Sequence, residues 1–266
     1  MTIDIIVCVK QVMDPETPAS AFDIDPESNK VVEVHGIPPV VNGFDENAVE
    51  AALRLKDDGH VGKITVLALG DHFVMDVMKK PLSMGADDLV LVQDESASDL
   101  DPFATSNALA AAIEKIGRFD LILCGRQASD WDQAHVPIGI AHFLGLPVIS
   151  FGQNIEISDE GVVVHRSIGD GYEVVGAPLP AVVSVTNELG EPRYPNLRGI
   201  MQASRKAPII WSREDIGLGN DDLSSKVHVE ELYIPVSEQT VEMIEGEDDE
   251  DSGRKLALRL REEKLI

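Results

Sequence analysis

Five short apolar runs, at residues 5–9, 63–69, 89–92, 121–124 and 181–185, are separated by stretches with helical spacing. Continuous apolar runs of this length suit strands covered on both faces, the condition of a parallel sheet. Residues 47–56 place Ala48, Ala51, Ala52 and Leu55 on one face, after Asp45 and Glu46, whose charges complement a helix start. Residues 104–116 repeat the pattern through Ala108, Ala111, Ala112 and Ile116, introduced by Asp101 and Pro102. A further helix over 73–83 is expected to end or kink at Pro81. This alternation predicts an α/β fold with a mostly parallel, doubly wound sheet. Residues 162–168 and 171–175, separated by a Gly-Asp step, predict an added antiparallel hairpin.

Ligands of such sheets lie beyond the carboxyl ends of the strands. One loop there stands out. The run at 120–124 ends in Gly125, passes through a small polar segment, and enters a helical pattern at Ile138, Ala141 and Leu144, which Gly145 and Pro147 should stop. A loop that leaves a strand and opens a helix points backbone N–H groups at one spot, and with the helix dipole that spot suits a phosphate. From spacing alone, an ordinary strand-to-helix connection is equally open.

Charge and cysteine usage narrow the classes. The chain of 266 residues carries a net charge of −25, which argues against nucleic acid or an anionic membrane surface and leaves basic protein surfaces as candidates. No apolar stretch approaches the ~18 residues that span a bilayer, so the chain is not expected to be integral to a membrane. The first residues lack a basic leader and read as a strand, so a cytoplasmic location is expected, or an organellar one in a eukaryote. Cys8 and Cys124 each lie in an apolar run with no CxxC spacing, and are expected to be buried free thiols without a metal. No nucleophile elbow, HExxH or Walker loop is present, and the seven histidines are dispersed. No catalytic or metal-binding residue is assigned.

After residue 190 the character changes. The segment EPRYPNLRGIM (191–201) begins as a loop, residues 205–240 offer short mixed patterns, and 245–251 are strongly acidic and should be solvated or face a partner. A terminal helix over 253–266 brings Leu256, Arg259 and Leu260 near one side. The expected organisation is an α/β nucleotide-binding domain over 1–204, including a partner loop at 191–200, and an extended arm over 205–266. That arm has little to pack on within one domain, so docking on another subunit is preferred to a frayed tail.

Several segments together resemble the electron transfer flavoprotein beta subunit family. GRQASDWDQ (125–133) resembles its nucleotide loop, Gly-Lys/Arg-Gln-Ala-Ile-Asp, and VCVKQVMD (7–14) its opening strand and turn. VNGFDENAVEAALRLK (41–56) resembles the segment Asn-Pro-Phe/Tyr-Asp-Glu-x-Ala-Val-Glu, with Gly43 in place of proline. MGAD (84–87) is similar to the family's short turn. Residues 166–180, with Gly171, Glu173 and Pro180, resemble the signature before AVVSV (181–185), although Ser167 and Gly169 stand where acidic residues are expected. EPRYPNLRGIMQA (191–203) looks like the partner-recognition loop and its helix, whereas 206–266 matches loosely.

The resemblance implies flavodoxin-like layering of the adenine nucleotide alpha hydrolase type. It also implies a heterodimer with an alpha subunit that holds most of a redox-active FAD. Electrons would pass from acyl-CoA dehydrogenases or similar flavoenzymes towards a quinone reductase, and this chain would be a carrier subunit, not an enzyme. By the same resemblance, a structural AMP lies against Val9, Asn42, Leu69, Cys124, Gly125, Arg126, Gln127, Ala128, Ser129, Asp130, Trp131, Asp132, Gln133, Ala134, His135 and Val136. Gly125 would permit close backbone approach. Asn42 would offer an amide to ribose or base, or else cap a helix or turn. Asp130 and Asp132 are expected to cap N–H groups or face the ribose. Arg126 could meet the nucleotide or the partner subunit, His135 a phosphate or a carbonyl, and Trp131 a base or the interface. Leu197, with Tyr194 and Arg198, would dock the dehydrogenase.

Two alternatives stay open. In electron-bifurcating relatives the same site holds a second FAD that oxidises NADH; Asp132, Ala134 and Val136 agree with their loop, while Gln133, His135 and Pro137 do not. The other alternative is a stand-alone adenine-nucleotide sensor that needs no alpha subunit.

Overall fold

The computed structural model describes residues 2–219, 221–235 and 241–266. Nine strands form one sheet: β1 (Ile3–Cys8), β2 (Val61–Gly70), β3 (Asp88–Gln93), β4 (Leu121–Gly125), β5 (Val148–Ser158), β6 (Gly161–Ile168), β7 (Gly171–Ala177), β8 (Ala181–Val185) and β9 (Ile209–Trp211). Their spatial order is β7-β6-β5-β8-β4-β1-β2-β3-β9. Every neighbouring pair from β5 to β9 in that order is parallel, and only β6 runs against its neighbours. The α/β, doubly wound expectation holds, and so does the added hairpin.

Alternate residues of each strand serve opposite faces. Ile3, Ile5 and Val7 of β1 pack with α1 (Gly43–Asp57), α3 (Lys80–Met84) and α6 (Leu197–Arg205). Ile6 and Cys8 face α4 (Pro102–Ile116) and α5 (Val136–Leu144). Fully burying each such side chain contributes about 1.5–3 kcal/mol, so the two apolar layers are the main stabilising term. Asp101 caps α4 by accepting from the Ala104 N–H at 2.8 Å. Gly145 ends α5 in the left-handed conformation at φ 65°.

Several elements depart from the sequence reading. The segment expected as one helix is two short ones, α2 (Met75–Met78) and α3; Pro81 lies in the first turn of α3, where its missing N–H costs nothing, and so opens a helix instead of ending one. β5 was not expected, because its exposed and buried residues mix without a clean period. It is nevertheless what joins the hairpin to the parallel core. β9, within the stretch expected to be an arm, pairs with β3, and Ile216 and Leu223 are buried against the α4 side. The terminal helix α7 (Asp249–Glu262) starts four residues earlier than Gly253. Asp248 caps it, and Asp249, Glu250 and Asp251 fill its first turn, so half the acidic run is a helix start that suits the dipole. No residue of α7 is buried. Among the described residues no helix is long and apolar enough to cross a membrane.

Candidate functional site

Strand order reverses at β1: the chain goes from β1 to β2 on one side, and returns to the other side at β4. A crevice therefore opens beyond the carboxyl ends of β1 and β4, the position where doubly wound sheets take ligands. Val9 follows β1, and the loop from Arg126 to His135 follows β4 and leads into α5. Cys124 and Gly125 are the last residues of β4, Val136 opens α5, and Leu69 lies near the end of neighbouring β2. The residues assigned from sequence thus converge on one rim.

The N-terminal turn of α1 holds this rim together. Asn42, at the N-cap of α1, makes no side-chain cap bond; its amide donates to Gln127 O at 2.8 Å and accepts from Ser129 N at 3.2 Å. Asp45, one turn on, is buried, and its two carboxylate oxygens accept from Lys10 N at 2.8 Å and Gly125 N at 3.0 Å. Burial pushes this carboxyl up to about 7, against the hydrogen bonds that favour the ionised form. Raised from an ordinary 3.8, it binds its proton more tightly in the fold, so its contribution to stability declines as pH climbs through that interval. The helix also explains Gly125. A Cβ there would sit 2.3 Å from Asp45 Oδ1 and 2.7 Å from the Phe44 carbonyl carbon, so the close approach it permits is that of α1.

The loop's two carboxylates each take a side-chain donor. Lys10 Nζ meets Asp130 at 2.6 Å, and Gln127 Nε2 donates to Asp132 at 2.6 Å. Both carboxylates take side-chain donors, where capping of N–H groups or a ribose contact was expected. Asp132 and Ala134 adopt left-handed backbone at φ 50° and 55°, conformations that cost a non-glycine residue of order 1 kcal/mol or more. The Arg126 guanidinium stacks 4.9 Å over the Phe44 ring, and its buried Nε has no partner among the described residues. Trp131, Gln133 and His135 are exposed, and Ala128 is half-buried. A buried orphan donor, an α5 start with no side-chain cap at His135, and exposed polar and aromatic side chains fit an anionic, partly aromatic ligand.

Cys8 and Cys124 are free and buried, as expected, but they are not isolated: they are register partners on adjacent strands. The Cys8 neighbour, burial and the nearby Asp45 charge hold the Cys124 thiol well above its usual range. Among the described residues no group of three or more His, Cys, Asp or Glu could hold a metal ion.

A second surface hangs on the same helix. Arg193 grips Glu50 of α1 with Nε to Oε2 at 2.8 Å and Nη2 to Oε1 at 3.2 Å, and reaches Asp57 at 2.9 Å. Asn47 donates to Gly190 O at 2.7 Å, and Arg54 to Leu189 O at 2.8 Å. Beyond this anchor, Tyr194 is 97% and Leu197 81% exposed. Ile200 and Met201 follow at helical spacing on α6, also exposed, and Arg198 faces solvent beside them. Asn196 caps α6 through Gly199 N at 2.9 Å.

The sequence reading took Asp45 as helix charge complement only and gave Lys10 no role. The signal was present: Asp45 lies one turn from Asn42, so both side chains serve the same rim.

A profile of the electron transfer flavoprotein domain matches residues 29–216. The caffeyl-CoA reductase-Etf complex subunit CarD of Acetobacterium woodii is 36% identical over 265 residues, covering 98% of this chain and 99% of that protein. Electron transfer flavoprotein subunit beta of Megasphaera elsdenii is 37% identical over 260 residues, 93% of each chain. Protein FixA of Azorhizobium caulinodans is 34% identical over 227 residues, 83% of this chain and 78% of that one.

Proposed function

The chain belongs to the electron transfer flavoprotein family as a beta-type subunit, and on that premise we propose that its β1/β4 crevice binds an adenine nucleotide while the loop at 191–200 docks a flavin dehydrogenase. The observation that carries the proposal is the sharing of α1: its first turn holds the nucleotide loop through Asn42 and Asp45, and its middle holds the docking loop through Glu50. Family membership sets aside the stand-alone sensor.

In this reading the nucleotide is a structural AMP, touched by the set from Val9 through Val136 named above. Electron transfer itself belongs to an FAD held mainly by an alpha subunit, which supplies one- and two-electron flavin chemistry when bound. This chain's residues do other work: Arg126, with its unpartnered Nε, can meet a phosphate, Trp131 can cover a base, and Asn42 keeps the loop in place. The exposed apolar residues Val227, Val229, Tyr233, Val241 and Met243, together with α7, supply an arm that covers the alpha subunit. The full-length relative named for a caffeyl-CoA reductase complex supports a donor or acceptor that handles acyl-CoA esters. A quinone reductase would be the further acceptor, and the cytoplasm the setting.

A second reading keeps the same pocket and replaces AMP by the adenylate half of a second FAD that oxidises NADH. The loop residues Asp132, Ala134 and Val136 favour it.

Leu197 tests the docking surface. Because Leu197 is 81% exposed, Leu197→Ala should leave thermal stability and FAD content unchanged. Truncating an apolar anchor at an interface centre costs about 1–2 kcal/mol, so the KM for the reduced dehydrogenase should rise roughly 5- to 30-fold. Loss of FAD in place of that rise would make the loop structural.

A further inference from the structure

We propose that Cys8 and Cys124 form a modification site: a dithiol that hydrogen peroxide closes to a disulfide across the ends of β1 and β4, loosening the loop at 126–135, and that thiols reopen. This goes beyond the nucleotide reading and stands without it.

The chain has two cysteines, and the fold brings them together. β1 and β4 are parallel neighbours whose register pairs are Ile5–Leu121, Ile6–Ile122, Val7–Leu123 and Cys8–Cys124. Three of these pairs join large apolar side chains, and the last joins two thiols. Register partners project from the same face of a sheet, and both cysteines lie in the apolar layer with Leu67, Ile122 and Ile140. Neighbouring strands are about 4.8 Å apart, within the range of Cα separations, roughly 4.4–6.8 Å, that a disulfide bridges. The Cβ atoms of such partners stand about as far apart, wider than the ~3.8 Å of a relaxed disulfide, so closure draws the strand ends together and stores strain. A strained disulfide is readily reduced, which makes the step reversible.

Cys8, 6% exposed against 4% for Cys124, meets the oxidant first. Its thiolate attacks one peroxide oxygen and the O–O bond breaks; the other oxygen takes the thiol's proton and leaves as water, and Cys8 becomes a sulfenic acid. The Cys124 sulfur then displaces hydroxide from Cys8, forming the S–S bond, and the hydroxide takes the Cys124 proton as a second water. Two thiols lose two hydrogens and one peroxide becomes two waters. The Cys8 neighbour, burial and the Asp45 charge hold the Cys124 thiol well above its usual range, which suits it to resolve and not to attack.

Strain here reaches the loop. Gly125 follows Cys124, Lys10 is two residues beyond Cys8, and their N–H groups both bond Asp45, at 3.0 and 2.8 Å. Arg126 N donates to Val185 O of β8 at 2.9 Å. Drawing β4 towards β1 pulls on all three bonds.

The test treats the heterodimer with hydrogen peroxide, blocks remaining thiols and digests with trypsin without reduction. Peptides 1–10 and 119–126 should appear joined, two hydrogens lighter than their sum, and dithiothreitol should separate them. Hydrogen exchange over 126–135 should be severalfold faster in the oxidised complex and recover on reduction. In Cys124→Ala, Cys8 should stop at a sulfenic acid that dimedone traps. Two thiols that still react with the blocking reagent after peroxide, or that each carry a sulfinic acid, would overturn the proposal on the wild-type protein alone, whether or not the variant folds. A cross-link with unchanged exchange would overturn the loop's part in it.

Discussion

Replacing Gly125 with alanine is expected to destabilise the chain by about 2–3 kcal/mol and to abolish nucleotide retention in the same variant. The added Cβ would meet Asp45 Oδ1 at 2.3 Å, the Phe44 carbonyl carbon at 2.7 Å and Asp45 N at 2.8 Å. Two of the three are backbone atoms of α1, which cannot rotate away. Relief requires α1 to move off β4, and that movement breaks the Asp45 bond to Gly125 N and shifts Asn42 from the loop. Stability and binding are therefore lost together. Gly43→Ala is the matching control, since a Cβ there meets nothing within 4 Å. Urea unfolding and nucleotide content of both variants check the expectation, and a stable Gly125→Ala protein with full nucleotide would show that α1 does not clamp the strand end.

Arg193→Met should have the second largest effect, about 2 kcal/mol at neutral pH. Glu50 is buried and keeps only Arg54 once Arg193 is gone. Burial alone would raise the Glu50 carboxyl, but the side-chain and backbone bonds from Arg193, with that from Arg54, hold it below its usual range. A carboxylate with a depressed value contributes stability above its unfolded value, and that contribution is lost as pH falls through the folded one. The gap between wild type and Arg193→Met should accordingly narrow below about pH 4.5, which a series of denaturation curves measures. A gap that stays constant with pH would mean that the loss is one of packing and not of charge. Electron acceptance from the dehydrogenase should fall as well, because the docking loop loses its hold on α1.

Much of this architecture was legible in the residues, for identifiable reasons. Strands buried on both faces read as continuous apolar runs, and 181–185 matches β8 residue for residue. α4 announced itself through Asp101 and Pro102. β5 did not, because it passes from the covered core to the exposed hairpin, and its period blurs along the way. The start of α7 was missed because a run of carboxylates reads as solvated coil until it is seen to lie at a helix N-terminus. The rim of the crevice was legible as a set of residues through a family resemblance. Its wiring was not: that Asp45 reaches two strand ends, or that Cys8 lies beside Cys124, depends on pairings between segments 35 to 116 residues apart.

The most direct test of the central claim, that this subunit's crevice holds an adenylate, is to purify the chain in complex with its alpha subunit, denature the complex, and quantify released FAD and AMP. One FAD and one AMP per heterodimer is the predicted result. Two FAD and no AMP would replace the structural AMP with a second flavin in the same crevice, and one FAD with no AMP would contradict the account.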